Sequence, residues 1–479
     1  MREALKRLTG ESVVYGLGQV SGRAVQLLLV PILTRILTPE AYGIGELVIA
    51  YSQTAVLIMV FGMDGALARF FYQEPDRAAR IRMASTSLAF RLVTGGAVAA
   101  LLALASGPLA DLVLGGAAYR KYLLLGAVTL PLTLLVLFAN DVLRVTFQPW
   151  KFIALNLTQT AVTAAVSIWL VVFEQTGVVG VLYGRLAGDG TAALVGLVLV
   201  RHTIRPHFER SVLARMLAYG MPLVPVAFAY GAITAVDRFV LQRTRTLEEV
   251  AVYAVAMKFF AVMTMGVAAF QLAYGPFAFA RAQDPQARRI YARVYAAFVS
   301  LGALGALAVG AFSREALALL APEPYAAAAV PAVWLAFAAV AQGAYYVASV
   351  GVGLALKTPW LGASAGVAAL VAVVANLALT PRFGPAGAAA ATALAYVTSA
   401  VLTYAVAQRF YPVPYRGARL AALFALALAS GLWLAANAPP GAAGVASRAG
   451  AVLAFAGLCL ALRVWKDEGA VAARRRPAP

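Results

Sequence analysis

One cysteine, two histidines and only 20 acidic residues in a chain of 479 remove several kinds of chemistry at the outset. The lone Cys459 can close no internal disulfide and can build no thiolate metal cluster. His202 and His207 share one basic stretch, which suits interfacial polar residues better than ligands, and neither a zinc signature nor a Ser-His-Asp set can be assembled around them. The sequence has no G-x-x-x-x-G-K-[ST] run, so it brings no P-loop of its own. Charged residues amount to 12%, too few for a folded polar domain with a nucleic-acid-binding face. The net charge of +19 sits in short basic clusters between apolar runs, the pattern of a membrane topology signal.

What the chain has in abundance is apolar length. Hydrophobic residues make up 62%, against roughly 45–50% in soluble domains, and the mean hydropathy is +0.82. About fourteen segments reach the ~20 apolar residues needed to cross a bilayer core. They run over 12–37, 44–68, 83–106, 122–143, 152–173 and 179–200, then 217–240, 250–279, 294–312, 328–356, 361–380 and 386–408, and end with 419–438 and 447–464. These runs are too long and too continuous for barrel strands, so an all-α integral membrane protein is expected. "MREALKRLTGES" leads directly into a segment too long and too polar-striped for a cleaved leader, so no signal peptide is expected.

Tracing from an N-terminus inside, the inner loops and tails hold about 26 Lys and Arg against about 8 in the outer loops, which places both termini in the cytoplasm. The order of features also repeats. "YGLGQVSG" at Tyr15 answers "YGMPLVPV" at Tyr219, Tyr42 answers Tyr253, and "QEPDRAARI" at Gln73 answers "QDPQARRI" at Gln283. Six spans separate the copies, an even number, so both halves insert the same way. Two parallel six-helix lobes are expected, residues 1–205 and 206–410, related by a pseudo-twofold along the membrane normal around a central cavity. A terminal two-helix hairpin and a basic tail, 411–479, complete the chain.

The run from Tyr15 to Phe71 resembles the polysaccharide, or O-antigen, flippases of the multidrug/oligosaccharidyl-lipid/polysaccharide exporter superfamily. The features that carry the resemblance are Arg35, Leu37, Pro39, Tyr42, Gly43, Gly62, Met63 and Arg69, joined in the second half by Asp237, Arg238 and "YAVAMKFF" with Lys258. The resemblance implies a bacterial inner-membrane protein that moves a lipid-linked oligosaccharide, on a pyrophosphate polyprenol carrier, from the cytoplasmic to the outer leaflet. Membrane lipids and polysaccharide assembly proteins are its implied partners. It implies no cofactor, and leaves open coupling to an ion or to the membrane potential. Two other readings are weighed beside it. A cation-coupled multidrug exporter of the same superfamily would prefer buried carboxylates to buried arginines. A membrane polymerase or ligase would be expected to keep a larger extramembrane loop, whereas the outer loops here are short.

Candidate site residues follow from charge depth. In the first span Ser12, Tyr15, Gln19, Gly22 or Arg23, and Gln26 fall on one face at spacings of three and four, a face that avoids lipid. An arginine well inside a span usually faces a wet cavity or a partner, so Arg23 and Lys258 are the leading substrate-binding candidates. Arg91 and Arg185 follow: Arg91 could equally snorkel to the inner interface, and Arg185 could pair with Asp189 four residues on. Gate or interface roles fall to Arg35, Tyr42, Asp64, Arg69, Asp237, Arg238 and Tyr253. Gly180, Gly184 and Gly188, spaced by four, read as a close helix contact.

Overall fold

The computed structural model describes residues 27–462 apart from 115, 222, 223, 282, 283, 356 and 440. Among these residues the chain is helical throughout, in seventeen α-helices. In order they are α1 (Leu27–Ile36), α2 (Pro39–Met59), α3 (Met63–Gln73), α4 (Arg77–Leu104), α5 (Ser106–Leu114), α6 (Arg120–Val145), α7 (Pro149–Ile168), α8 (Val178–Val200), α9 (Arg210–Gly220) and α10 (Val224–Thr244). The remainder are α11 (Leu247–Ala280), α12 (Ala287–Ala311), α13 (Ser313–Leu320), α14 (Ala329–Leu354), α15 (Pro359–Phe410), α16 (Gly417–Asn437) and α17 (Gly441–Ala461). Ten stretches of the described residues are long and apolar enough to cross a membrane, and one of them, α15, takes in two of the fourteen expected runs. The 52 residues of α15 would span about 78 Å as one rod, far beyond a ~30 Å core. Its single non-helical residue, Gly384 (φ 55°, ψ −134°), falls between the two runs that the sequence separates at 380 and 386.

The described chain divides into two compact units. One holds the residues up to Val255 with Leu320–Tyr325 and Asn376–Pro385, and the other holds the rest. In the first unit α6 is the central helix, packed by α2, α3, α4, α7 and α8. Its core joins Met63 and Leu67 of α3, Phe138 and Leu143 of α6, Leu155 of α7 and Met216 of α9. The run 44–68, read as one helix, is in fact broken: Phe61 and Gly62 both take positive φ and turn α2 into α3. The break has a partner. A Cβ on Gly62 would lie 2.5 Å from the carbonyl oxygen of Gly220, so backbone meets backbone at the end of α9. Helix α9 begins at Arg210, ahead of the segment read as span 217–240, and takes its first residues.

The glycine ridge of α8 does what its spacing implies. A Cβ on Gly184 would sit 2.0 Å from the Ser167 hydroxyl and one on Gly188 1.9 Å from that of Thr163, both on α7. Gly190, by contrast, would meet nothing closer than 3.8 Å. Overpacking of this kind costs about 1–3 kcal/mol. Gly188→Ala and Gly184→Ala are therefore expected to lower the thermal midpoint in detergent by several degrees, with Gly190→Ala close to wild type. Equal midpoints for all three would show that the ridge is slack.

In the second unit α12 packs on α14, α16 and α17, and α14 is the most deeply buried helix. The short α13 ties the terminal hairpin down. Arg448 of α17, 2% exposed, pairs with Glu315, and Arg314 donates to the carbonyl of Ala436 at 2.8 Å.

Candidate functional site

Two hairpins that the sequence places at the outer face, α1–α2 and α10–α11, meet within the first unit. Each opens its second helix in the same way, with Thr38 Oγ1 accepting from the Ala41 N–H and Thr246 Oγ1 from the Glu249 N–H, both at 3.2 Å. At their contact a Cβ on Gly43 would lie 2.3 Å from the carbonyl oxygen of Leu247, so only glycine lets the two backbones approach this closely. Buried side chains fill in behind. Tyr42 stands edge-on to Tyr325 with centroids 6.1 Å apart. The Tyr253 hydroxyl donates to Asp237 Oδ2, whose other oxygen accepts from the Arg238 N–H at 2.6 Å. Farther along, Tyr51 donates to Gln242 Oε1 at 2.8 Å. On the exposed side Arg245 donates to the Pro381 carbonyl at 2.9 Å and approaches Glu249 at 3.7 Å. Arg35 is exposed and bonds the Pro31 carbonyl of its own helix at 3.0 Å, while Arg238 is half-buried.

The remaining sequence candidates divide by unit. Arg23 lies outside the described residues. Arg91, with no exposed side chain, makes a 2.7 Å ion pair with Asp141 and lies 5.8 Å from the Phe138 ring centroid. Arg144 reaches the other Asp141 oxygen from the same helix. Arg91 therefore does not snorkel; it is locked between α4 and α6. Arg185 does not pair with Asp189. Instead Asp189 accepts from Thr133 at 2.5 Å and from Gln159 at 2.7 Å, and Arg185 Nε is buried without a hydrogen-bond partner among the described residues. Lys258, half-buried on α11, belongs to the second unit. Asp64 is exposed in the first turn of α3, where a carboxylate meets the positive end of the helix dipole. Arg69 lies 4.6 Å from the Tyr219 ring centroid and so joins the α3 end to α9.

The segment after α8 is docked on the same end. The Arg205 and Glu209 backbone N–H groups donate to Ser85 and Thr86 of α4, at 2.8 and 3.2 Å. The Ser211 hydroxyl, with Arg82 beside it, holds the Glu209 carboxyl below the usual carboxylate range. Among the described residues no group of acidic, histidine or cysteine side chains could hold a metal ion. The arrangement consists of a close contact between two hairpins and of charges carried on helices of membrane length.

Comparison with known proteins fits that description. The model of the family described as polysaccharide biosynthesis protein matches residues 8–282, more than half of the chain. The chain belongs to the polysaccharide biosynthesis protein family. The matched stretch contains all the candidate residues named above, and α12–α17 lie beyond it. No curated protein matches the chain by sequence. Among solved structures, this family member is similar in fold to the lipid II flippase MurJ in an inward closed conformation, with a TM-score of 0.72, 12% identity, and coverage of 93% of this chain and 98% of that one. It is also similar to the Vibrio cholerae MATE transporter VcmN in the bent form (TM-score 0.56, 13% identity, 90% and 98% covered). An inward-facing multidrug resistance MATE family transporter of the MOP superfamily gives a TM-score of 0.56 at 14% identity, with 87% and 94% covered. At these identities the likeness concerns the fold. It establishes a multi-pass membrane fold, in a family named for polysaccharide biosynthesis.

Proposed function

We propose that the protein flips a lipid-linked oligosaccharide from the cytoplasmic to the outer leaflet of a bacterial inner membrane by alternating access. The two halves, 1–205 and 206–410, act as the moving lobes, and 411–479 is an accessory hairpin. The observation that carries this reading is the closure of the α1–α2 and α10–α11 hairpins through Gly43 and Leu247, in a member of a polysaccharide biosynthesis family. A transporter resting with its outer end shut loads from inside, which is where lipid-linked sugars are assembled. The cargo head group enters while its polyprenol tail stays among the helices. Arg23 and Lys258 take the pyrophosphate, because charge-assisted hydrogen bonds replace part of the hydration it loses. Arg185, whose Nε has no hydrogen-bond partner among the described residues, is a further candidate contact.

The test is translocation of a fluorescent pyrophosphate-linked oligosaccharide in proteoliposomes. The Arg23→Ala, Lys258→Ala double variant is expected to insert normally and to lose translocation, while Arg23→Lys keeps part of it because charge survives and the bidentate fork does not. Wild-type translocation by the double variant would remove these residues from the site. A cation-coupled multidrug exporter is the competing reading. The Asp189 carboxylate, met by the neutral donors Thr133 and Gln159, is the observation on its side. Ethidium efflux from the same vesicles, abolished by Asp189→Asn and indifferent to lipid-linked sugar, would favour it.

A further inference from the structure

A cavity of about 200 Å³ opens in the second unit between α11 and α14, lined among others by Phe270, Gln271, Tyr274, Gly343, Tyr346 and Ser349. Its walls combine two kinds of group. The rings of Phe270 and Tyr274 stack at 5.4 Å, and Phe270 is backed by Phe298 at 4.7 Å. Between them stand the Gln271 amide and the Tyr274 and Tyr346 hydroxyls, which have no hydrogen-bond partner among the described residues. Gln271 is exposed and Tyr346 half-buried, so these ends are open to whatever enters the cavity, water or a ligand.

Depth separates the two ligand classes such a cavity could suit. Phe270 lies 23 residues after the start of α11, about 35 Å along the axis, so a helix that enters the bilayer near Leu247 brings it to the far edge of a ~30 Å hydrocarbon core. Water competes at such an edge, which makes an acyl chain the weaker occupant. A pyranose ring is the right one: its C–H face packs on aromatic rings, and its rim of hydroxyls both donates and accepts, as the amide and phenol ends require. The volume lies below the roughly 300–1,000 Å³ of sites for drug-sized ligands, which fits one ring and not a chain. Gly343 is part of the construction. A Cβ there would lie 2.2 Å from the tip of Phe298, so its absence lets Phe298 sit behind Phe270 and fix the wall.

We infer that this cavity is a subsite for a single pyranose ring of the cargo, held by stacking on Phe270 and Tyr274 and by hydrogen bonds to Gln271 and Tyr346. The inference rests on the transport reading above and names the part of the cargo that the second unit recognises.

Saturation-transfer NMR on the full chain in lipid nanodiscs tests it, with methyl α-glucoside, methyl α-galactoside, methyl α-mannoside and methyl α-rhamnoside as probes and toluene as the apolar control. At least one glycoside is expected to receive saturation on its ring C–H protons, and toluene should not displace it. Tyr346→Phe with Gln271→Leu keeps the wall and removes two polar ends; the transfer should drop about fivefold, and Phe270→Ala should abolish it. Silence from all four glycosides, unchanged transfer in the double variant, or displacement by toluene would each overturn the subsite. Vesicle translocation is read separately. Normal flipping with no glycoside response removes the subsite and leaves the transport reading standing. A glycoside response lost in the variants, without any flipping of lipid-linked sugar, leaves the subsite and removes that reading.

Discussion

Asp141→Ala is expected to be the most damaging single change in the first unit. Arg91 has no exposed side chain, and two of its three nitrogens have no partner among the described residues, so Asp141 is the group that answers its charge. Removing one member of a buried pair leaves the other uncompensated, at about 3–5 kcal/mol, comparable to the whole stability margin of many domains. Arg144, also bound to Asp141, is half exposed, and its loss should cost about 0–1 kcal/mol. The asymmetry is the test. Fluorescence-detected size exclusion after heating should show Asp141→Ala aggregated or absent and Arg144→Ala near wild type. Arg91→Met with Asp141→Leu should recover most of the loss, since an apolar pair of similar size satisfies the site. Equal behaviour of Asp141→Ala and Arg144→Ala would mean that the buried pair does not hold α4 to α6.

Gly43→Val should change the conformational balance more than any side-chain truncation at the outer hairpins. The added Cβ would meet the Leu247 carbonyl, a backbone atom that no rotamer change can move. The hairpins must part or strain by about 1–3 kcal/mol, enough to raise the outward-open population on the order of tenfold. In a Cys459→Ser background a cysteine replacing Ala251, fully buried in the closed arrangement, reports the change. Labelling of Ala251→Cys by an impermeant maleimide from outside should rise about tenfold with Gly43→Val and stay near its baseline with Leu247→Ala, which keeps the carbonyl. No rise in labelling would mean that this contact does not set the balance.

The helical class and most span boundaries were legible in the sequence because long apolar runs admit few alternatives. The 178–200 helix and the break of α15 at Gly384 follow from length and from glycine alone. The kink at Phe61–Gly62 was not legible, because nothing within the run 44–68 shows that Gly220 will press against it; that contact joins positions 158 residues apart. Charge depth was readable, but partnership was not. Arg91 and Asp141, fifty residues apart, are opposite buried charges on helices that pack together, a pairing that span-by-span reading misses. The i, i+4 rule suggested that Arg185 would take Asp189, yet neutral donors from α6 and α7 took it, since hydrogen bonds to a carboxylate need no counter-charge. Glycine spacing on α8 succeeded because close approach depends on the absence of atoms, which a sequence records directly.

The segment from Arg201 to Gly220 stands between the halves of a chain that reads as a duplication, where a slack tether would be the ordinary expectation. Here it is a splint. Its backbone is fastened to Ser85 and Thr86, its acid to Arg82, its tyrosine to Arg69, and its last glycine to the bend between α2 and α3. Every one of these anchors belongs to the first half. The first unit therefore keeps its hold on the chain through Gly220, twenty residues past the end of α8.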